Sequence, residues 1–254
     1  MRIETVFFTN RGKREKNEDS ILRDSLIFKD DMEKCEMQII SGDEFVFAVA
    51  DGMGGHGYGE AASRIVLEVL KECKGMLTDP EKAYDYIYKA ADMLKSAAET
   101  NPEYGNYGSA VSVLRISETG ESFIINCGDC RIYRLNGKYL EKITKDHSIV
   151  QGLFDAGIIS EDEMRKHPQK NIVTSALMPS SDRTTEIQRK KINIKKGNVF
   201  FICSDGVWEV ASLEQMEECF FEKGITDIGE KMVNKIIDSS SDNISFIIMK
   251  IMEE

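Results

Sequence analysis

Five aspartates stand where this sequence could do chemistry. Asp19 follows Asn17-Glu18, and Asp51 ends an apolar run at 45–50. Asp129 closes Asn126-Cys127-Gly128-Asp129, Asp205 lies in Cys203-Ser204-Asp205-Gly206, and Asp242 lies in Ser241-Asp242-Asn243. Asp51, Asp129 and Asp205 each follow a short apolar stretch of strand character, and Asp242 comes just before one. Strand ends fix side chains more firmly than loops do, and the glycines after Asp51 and Asp205 let a backbone carbonyl approach a ligand closely. Carboxylates brought together repel one another unless a cation neutralises them. A hard divalent ion with oxygen ligands does so, and magnesium or manganese fits. Singly, an Asp-Gly pair asks for no more than a turn. Five aspartates in matching contexts point to a shared cation site.

The same region offers a competing chemistry. Gly52, Gly54 and Gly57 match G-x-G-x-x-G, the dinucleotide fingerprint of an oxidoreductase. Asp51 would then set an anion beside the pyrophosphate. A second amphipathic helix follows where a second parallel strand is required. The acidic residue expected about 20 positions on has no strand end to occupy. No cysteine has an arginine six positions later, and G-x-x-x-x-G-K-[ST] is absent. Cysteine-dependent phosphatase and P-loop chemistry are therefore excluded.

Strand patterns at 2–9, 21–28 and 44–50 are followed by helical patterns at 57–74 and 81–98. Strands near 108–116, 121–127 and 131–135 come next, with Asn136-Gly137 as a tight hairpin turn. A capping box from Ser160 to Glu163 starts a short helix before Pro168. Strands at 184–193 and 198–203, helices at 212–222 (capping box Ser212 to Gln215) and 226–238, and a strand at 243–251 complete the chain. Strands grouped with strands and helices paired with helices give an α+β class.

The 254 residues fit one large domain or two small ones. A net charge of −11 argues against a duplex-binding surface. The basic run Lys190, Lys191, Lys195 and Lys196 reads as a solvated face, so no nucleic acid partner is expected. No apolar run approaches the roughly 18 residues of a membrane span, and the N-terminus lacks a signal-peptide core. Six cysteines without a secretory signal read as free thiols in a reducing cytoplasm. A monomer is expected.

Taken together, the short motifs resemble the protein phosphatase 2C family, the metal-dependent serine/threonine phosphatases, in compact bacterial form. The matching pieces run nearly end to end. They are Gly12-Lys13-Arg14 with Asn17-Glu18-Asp19-Ser20, Ala50-Asp51-Gly52-Met53-Gly54-Gly55-His56, and Gly108-Ser109-Ala110. Then come Asn126 to Arg131, Thr144-Lys145-Asp146-His147-Ser148, His167-Pro168-Gln169 with Asn171 to Leu177, Cys203 to Val207, and Ser241 to Ile244. The resemblance implies one phosphatase domain over 1–254, two antiparallel sheets packed face to face between helix pairs, and a flap-like insert at about 148–180. It implies that Asp51 bridges two manganese or magnesium ions, with the Gly52 carbonyl, Asp205 and Asp242 completing the set. Asp19 would act directly or through water, Asp129 would serve a third, weaker ion, and Arg14 would bind substrate phosphate. The implied reaction is attack of metal-activated water on phosphoserine or phosphothreonine in proteins. The enzyme would serve signalling, opposite a cognate serine/threonine kinase.

This chain departs from that pattern in three places. Met53 stands where some members carry a histidine acid, and His56 is expected to pack against the turn. Gly128-Asp129-Cys130-Arg131 replaces Gly-Asp-Ser-Arg, and with Cys127 it makes a C-x-x-C that reads as a zinc pair, a redox pair or two ordinary strand-end residues. Met178-Pro179-Ser180 stands where glycine is usual. The flap either screens protein substrates or is a stable insert without selectivity. His147 is expected to pack or cap at a strand-to-helix corner, and His167 to be exposed. The alternative function is a catalytically silent, phosphatase-like binding module, against which stands the presence of Asp19, Asp51, Asp205 and Asp242.

Overall fold

The run at 45–50 is apolar without a break because its strand is covered on both faces. In the computed structural model, which describes residues 1–54, 58–101 and 107–252, alternate residues of that run enter different cores. Phe45, Phe47 and Val49 pack between two sheets with Phe7, Phe200 and Ile202. Val46, Ala48 and Ala50 face a helix pair, against Val66, Leu70 and Leu94. The period of two thus sorts residues between two hydrophobic environments.

The strands are β1 Arg2–Asn10, β2 Asp19–Arg23, β3 Leu26–Phe28, β4 Glu36–Ser41, β5 Glu44–Met53, β6 Gly108–Ser117, β7 Ser122–Cys127, β8 Arg131–Asn136, β9 Tyr139–Lys142, β10 Gln188–Ile192, β11 Val199–Cys203 and β12 Ile244–Ile251. They form two six-stranded antiparallel sheets, ordered β4-β1-β12-β11-β8-β9 and β10-β7-β6-β5-β2-β3. Helices α1 Gly59–Glu72 and α2 Pro80–Thr100 cover the second sheet. The segment at 148–180 carries α3 Ile149–Asp155 and α4 Glu161–Lys166. Helices α5 Asp205–Trp208, α6 Leu213–Glu217 and α7 Ile225–Ile236 cover the first sheet, through a core holding Phe201, Trp208, Met232 and Phe246. This is the α+β layering that the sequence implied.

Several elements differ from expectation, each for a local reason. The stretch 21–28 is a hairpin, because Asp24 turns the chain at φ 60° between β2 and β3. Strand β4 has no sequence signature, since five of its six residues are exposed on the sheet edge. The strand expected at 184–193 shrinks to β10. The helix expected at 212–222 breaks into α6 and a 3-10 turn at Glu218–Phe221. Both capping boxes form, and Gly137 turns β8 into β9 at φ 64°. Gly57, part of the dinucleotide fingerprint, lies outside the described residues. That reading fails on topology: α1 leads into α2, and both neighbours of β5 are antiparallel.

One buried ion pair braces the first sheet against α5. Nε and Nη2 of Arg131 donate to Asp146 at 3.0 and 2.6 Å. Both side chains are buried, and the guanidinium lies 3.6 Å from the centre of the Trp208 ring. Replacing Asp146 with Ala strands a buried cation, and urea unfolding should show a loss of about 3–5 kcal/mol. A loss below about 1 kcal/mol, typical of exposed pairs, would contradict the bracing role.

Candidate active site

Strand pairing places the first two carboxylates. Asp19 opens β2 and lies directly across from Asp51 near the end of β5. Beyond Asp51 the chain must pass between two other backbones. A Cβ at Gly52 would lie 2.1 Å from the Gly59 carbonyl oxygen and 2.5 Å from that of Glu18. Only glycine fits there, and the Gly52 N–H donates to the Glu18 carbonyl at 3.2 Å. The second sheet contributes Asp51 and Asp19; the first contributes Asp205, where β11 runs into α5, and Asp242, just before the neighbouring β12. A Cβ at Gly206 would lie 1.9 Å from the Asn243 carbonyl oxygen, so these two segments also touch backbone to backbone. Asn243 then ties in the 11–18 loop. Its Nδ2 donates to the carbonyls of Arg11 and Lys16, and its Oδ1 accepts the Glu18 N–H. That loop carries Arg14, whose Nη2 donates to Asp242 Oδ2 at 2.6 Å and whose Nε donates to the Ser241 carbonyl at 3.2 Å. Asp129 arrives from the turn between β7 and β8.

Arg14, Asp51, Gly52, Asp129, Asp205 and Asp242 thereby line one pocket of about 220 Å³. Asp19 does not line it. Asp19 lies beneath, 1% exposed, with Oδ2 accepting from the Ser204 hydroxyl at 2.7 Å. Burial, then the charges of Asp205, Asp19, Asp129 and Asp242, hold the Asp51 carboxyl well above the usual carboxylate range. Burial, followed by Asp129 and Asp242, does the same to Asp205. Burial is also the first cause that raises Asp19 and Asp129 to about 7. Partial burial pulls Arg14 down, but Asp242, Asp205 and Asp51 outweigh it and its pKa rises. Asp51 and Asp205 thus sense the charge of neighbouring aspartates, and Asp19 that of Asp242, whereas the charges acting on Asp129 are those of Asp146 and Glu209, opposed by Arg131.

Among the described residues, no three Asp, Glu, His or Cys side chains converge on one point as ready-made ligands. Arg14 holds Asp242 aside and Ser204 holds Asp19. The chemistry of the donor set nevertheless fits hard divalent ions: it is all oxygen and oversupplied with negative charge.

Met53 lines the pocket, and no histidine does among the described residues; His56 lies outside them. Cys127 sits in the core under the α1–α2 pair and Cys130 in the core between the sheets, so they do not face each other as a zinc or redox pair. Burial pushes the Cys127 thiol up to about 12, which keeps it from thiolate chemistry. His147 is buried at the corner between β9 and α3, while His167 is only half-buried. Met178 packs at Gly108, where β6 begins, and Ser181 closes that turn. Sequence reasoning did not single out Glu18, Asn171 or Val173, which also line the pocket. A signal for Glu18 existed: of two acids in succession at a strand start, one faces each way.

The fold and the pocket define an α+β sandwich of two antiparallel sheets with an acidic, oxygen-rich site at its strand ends. The sequence pattern of the family described as protein phosphatase 2C matches residues 19–236, and the chain belongs to that family. It is 27% identical over 215 residues to the serine/threonine protein phosphatase PstP of Mycobacterium tuberculosis, covering 82% of this chain and 40% of PstP. It is 30% identical over 186 residues to the serine/threonine phosphatase stp of Listeria monocytogenes, covering 70% and 72%. The crystal structure of M. tuberculosis PstP/Ppp superposes with a TM-score of 0.83 at 22% identity over the whole of both chains. The PstP catalytic domain has also been solved in complex with two manganese ions, with a TM-score of 0.80 at 21% identity over the whole of both chains. The chain thus spans 40% of the length of the PstP proteins it matches.

The raised carboxyl groups set a pH dependence. A group whose folded pKa exceeds its unfolded value adds stability that is complete below the unfolded pKa and is lost as pH rises through the folded one. For Asp19 and Asp129 that window runs from about 4 to about 7. In protein kept in chelator, Asp51→Asn removes one charge from the cluster. It should therefore gain stability relative to wild type as pH rises from about 4 to 7. Urea melts at several pH values read this directly, and a pH-independent difference would contradict the shared-charge cluster.

Proposed function

We propose that this chain is a serine/threonine protein phosphatase that hydrolyses phosphoserine and phosphothreonine in proteins with two manganese or magnesium ions. The supporting observation is that Asp51, Asp129, Asp205 and Asp242 line one pocket beside Arg14, the single lining cation among the described residues. Asp51, the Gly52 carbonyl, Asp205 and Asp242 would hold the ions, with Asp19 behind them and a third, weaker ion near Asp129. The manganese pair in the PstP structure supports the choice of metal. When bound, the ions supply an acidified water as nucleophile and offset charge on the phosphoryl group.

The chain's own residues do the rest. Arg14 has half its side chain exposed at the pocket, and its planar fork matches phosphate oxygens. In binding phosphate it exchanges Asp242 for substrate. Ser204 keeps Asp19 oriented from beneath. Met53 can neither give nor take a proton, so no protein acid stands at that position. Asn171 and Val173 of the flap form one wall, and Phe154, Ile158 and Ile172 of the same segment are exposed. That apolar surface suits contact with protein substrates. Among the described residues no helix is long and apolar enough to cross a membrane. Six buried free cysteines suit a reducing cytoplasm, where the enzyme would act as a monomer opposite a protein kinase.

Hydrolysis of a phosphothreonine peptide tests this reading. Release should require manganese or magnesium, stop in EDTA and vanish in Asp51→Ala. Arg14→Gln should lower kcat/KM about 10- to 100-fold, as expected for a lost charged hydrogen bond. Metal-independent release, or full turnover by Asp51→Ala, would overturn the assignment.

A further inference from the structure

The turn that presents Asp129 is built from backbone that cannot hold itself. Gly128 adopts φ 107°, and a Cβ there would lie 2.3 Å from that of Ala110. Gly128 has no side chain to anchor the turn, and residues 128–130 lie between β7 and β8, outside strand pairing, so their buried backbone groups must find other partners. The Gly128 N–H donates to Nδ1 of His147 at 3.2 Å. The Gly128 carbonyl accepts from the His147 N–H at 2.9 Å and from Asn126 Nδ2 at 3.2 Å. The Asp129 carbonyl accepts from Trp208 Nε1 at 3.1 Å.

Of these partners, His147 alone clasps both the N–H and the carbonyl of Gly128. It is 4% exposed. A backbone N–H can only donate, so Nδ1 carries the lone pair and Nε2 the proton, facing Glu186 at 3.9 Å. Burial lowers its proton affinity, in keeping with a neutral ring. His147 does not line the pocket. It also reaches the flap: its carbonyl accepts the Thr174 N–H at 2.8 Å, beside the bridge between Ser148 and Val173.

We propose that His147 is a positioning residue for the phosphatase reaction: Nδ1 fixes the Gly128–Asp129 turn, and the His147 backbone ties that turn to the flap wall at Val173. This rests on the metal-dependent reading above. Groups that orient a metal-binding side chain typically change affinity or activity 10- to 100-fold when removed.

Three variants separate positioning from packing. Asn places an acceptor where Nδ1 stands, Gln places one nearer Nε2, and Leu fills the space without an acceptor. Manganese binding by calorimetry, with kcat and KM on a phosphothreonine peptide, is measured for each. His147→Asn should stay within about twofold of wild type. His147→Gln and His147→Leu should weaken the weakest manganese site and lower kcat about 10- to 100-fold, with KM moving less. Leu matching Asn would reduce His147 to packing, and Gln matching Asn would remove the role of Nδ1; either overturns the proposal. Should Leu fail to fold, the comparison of Asn with Gln decides, since both bury one amide. Wild-type protein that neither binds manganese nor turns over would instead overturn the phosphatase reading, and this one with it.

Discussion

Mutual repulsion among buried carboxylates is the constraint on which the rest of this structure depends. Asp51 lies in the field of Asp205, Asp19, Asp129 and Asp242, and Asp205 in that of Asp129, Asp242 and Asp19. Left alone, such a group takes up protons or pushes its members apart. The fold opposes this from below. Asp19 is fixed by register opposite Asp51, and Asp205 and Asp242 are fixed at the adjoining ends of β11 and β12. The sandwich is thus a scaffold that concentrates negative charge at one end of two sheets. Hydrophobic packing on three levels stabilises it enough to tolerate that concentration.

The contacts that gather the site are largely backbone to backbone. Gly52 against Gly59 and Glu18, and Gly206 against Asn243, are approaches that any side chain would block. Around them lie side chains whose work is to satisfy buried polar groups. Asn243 holds the Arg14 loop, Ser204 holds Asp19, and His147 and Trp208 hold the Asp129 turn. Arg131, stacked on Trp208 and paired with Asp146, extends that brace into the first sheet. The walls of the pocket are thus hydrogen-bonded to one another.

Much of this was legible in the sequence, and the limits are physical. The aspartate motifs were readable because residue type, glycine and strand end fall within four or five positions of one another. The capping boxes at Ser160 and Ser212 were readable for the same reason. Strand β4 was not, since an exposed edge strand has no hydrophobic alternation. The one-turn helix α5 was too short for a helical period, and the hairpin at Asp24 broke a stretch whose composition reads as one strand. The roles of His147 and Trp208 depend on partners 19 and 79 positions away, which local pattern cannot register. The Cys127–Cys130 pair reads in the structure as two ordinary strand-end residues, because its two thiols face different cores.

The central claim is that this carboxylate cluster is a cation site. Anomalous scattering from crystals of the wild-type chain grown with manganese tests it most directly. The account predicts two strong peaks within ligand distance of Asp51, Asp205 and Asp242, with both peaks absent from Asp51→Asn crystals. Manganese bound elsewhere, or a pocket in which Arg14 remains on Asp242 and no peak appears, would contradict it.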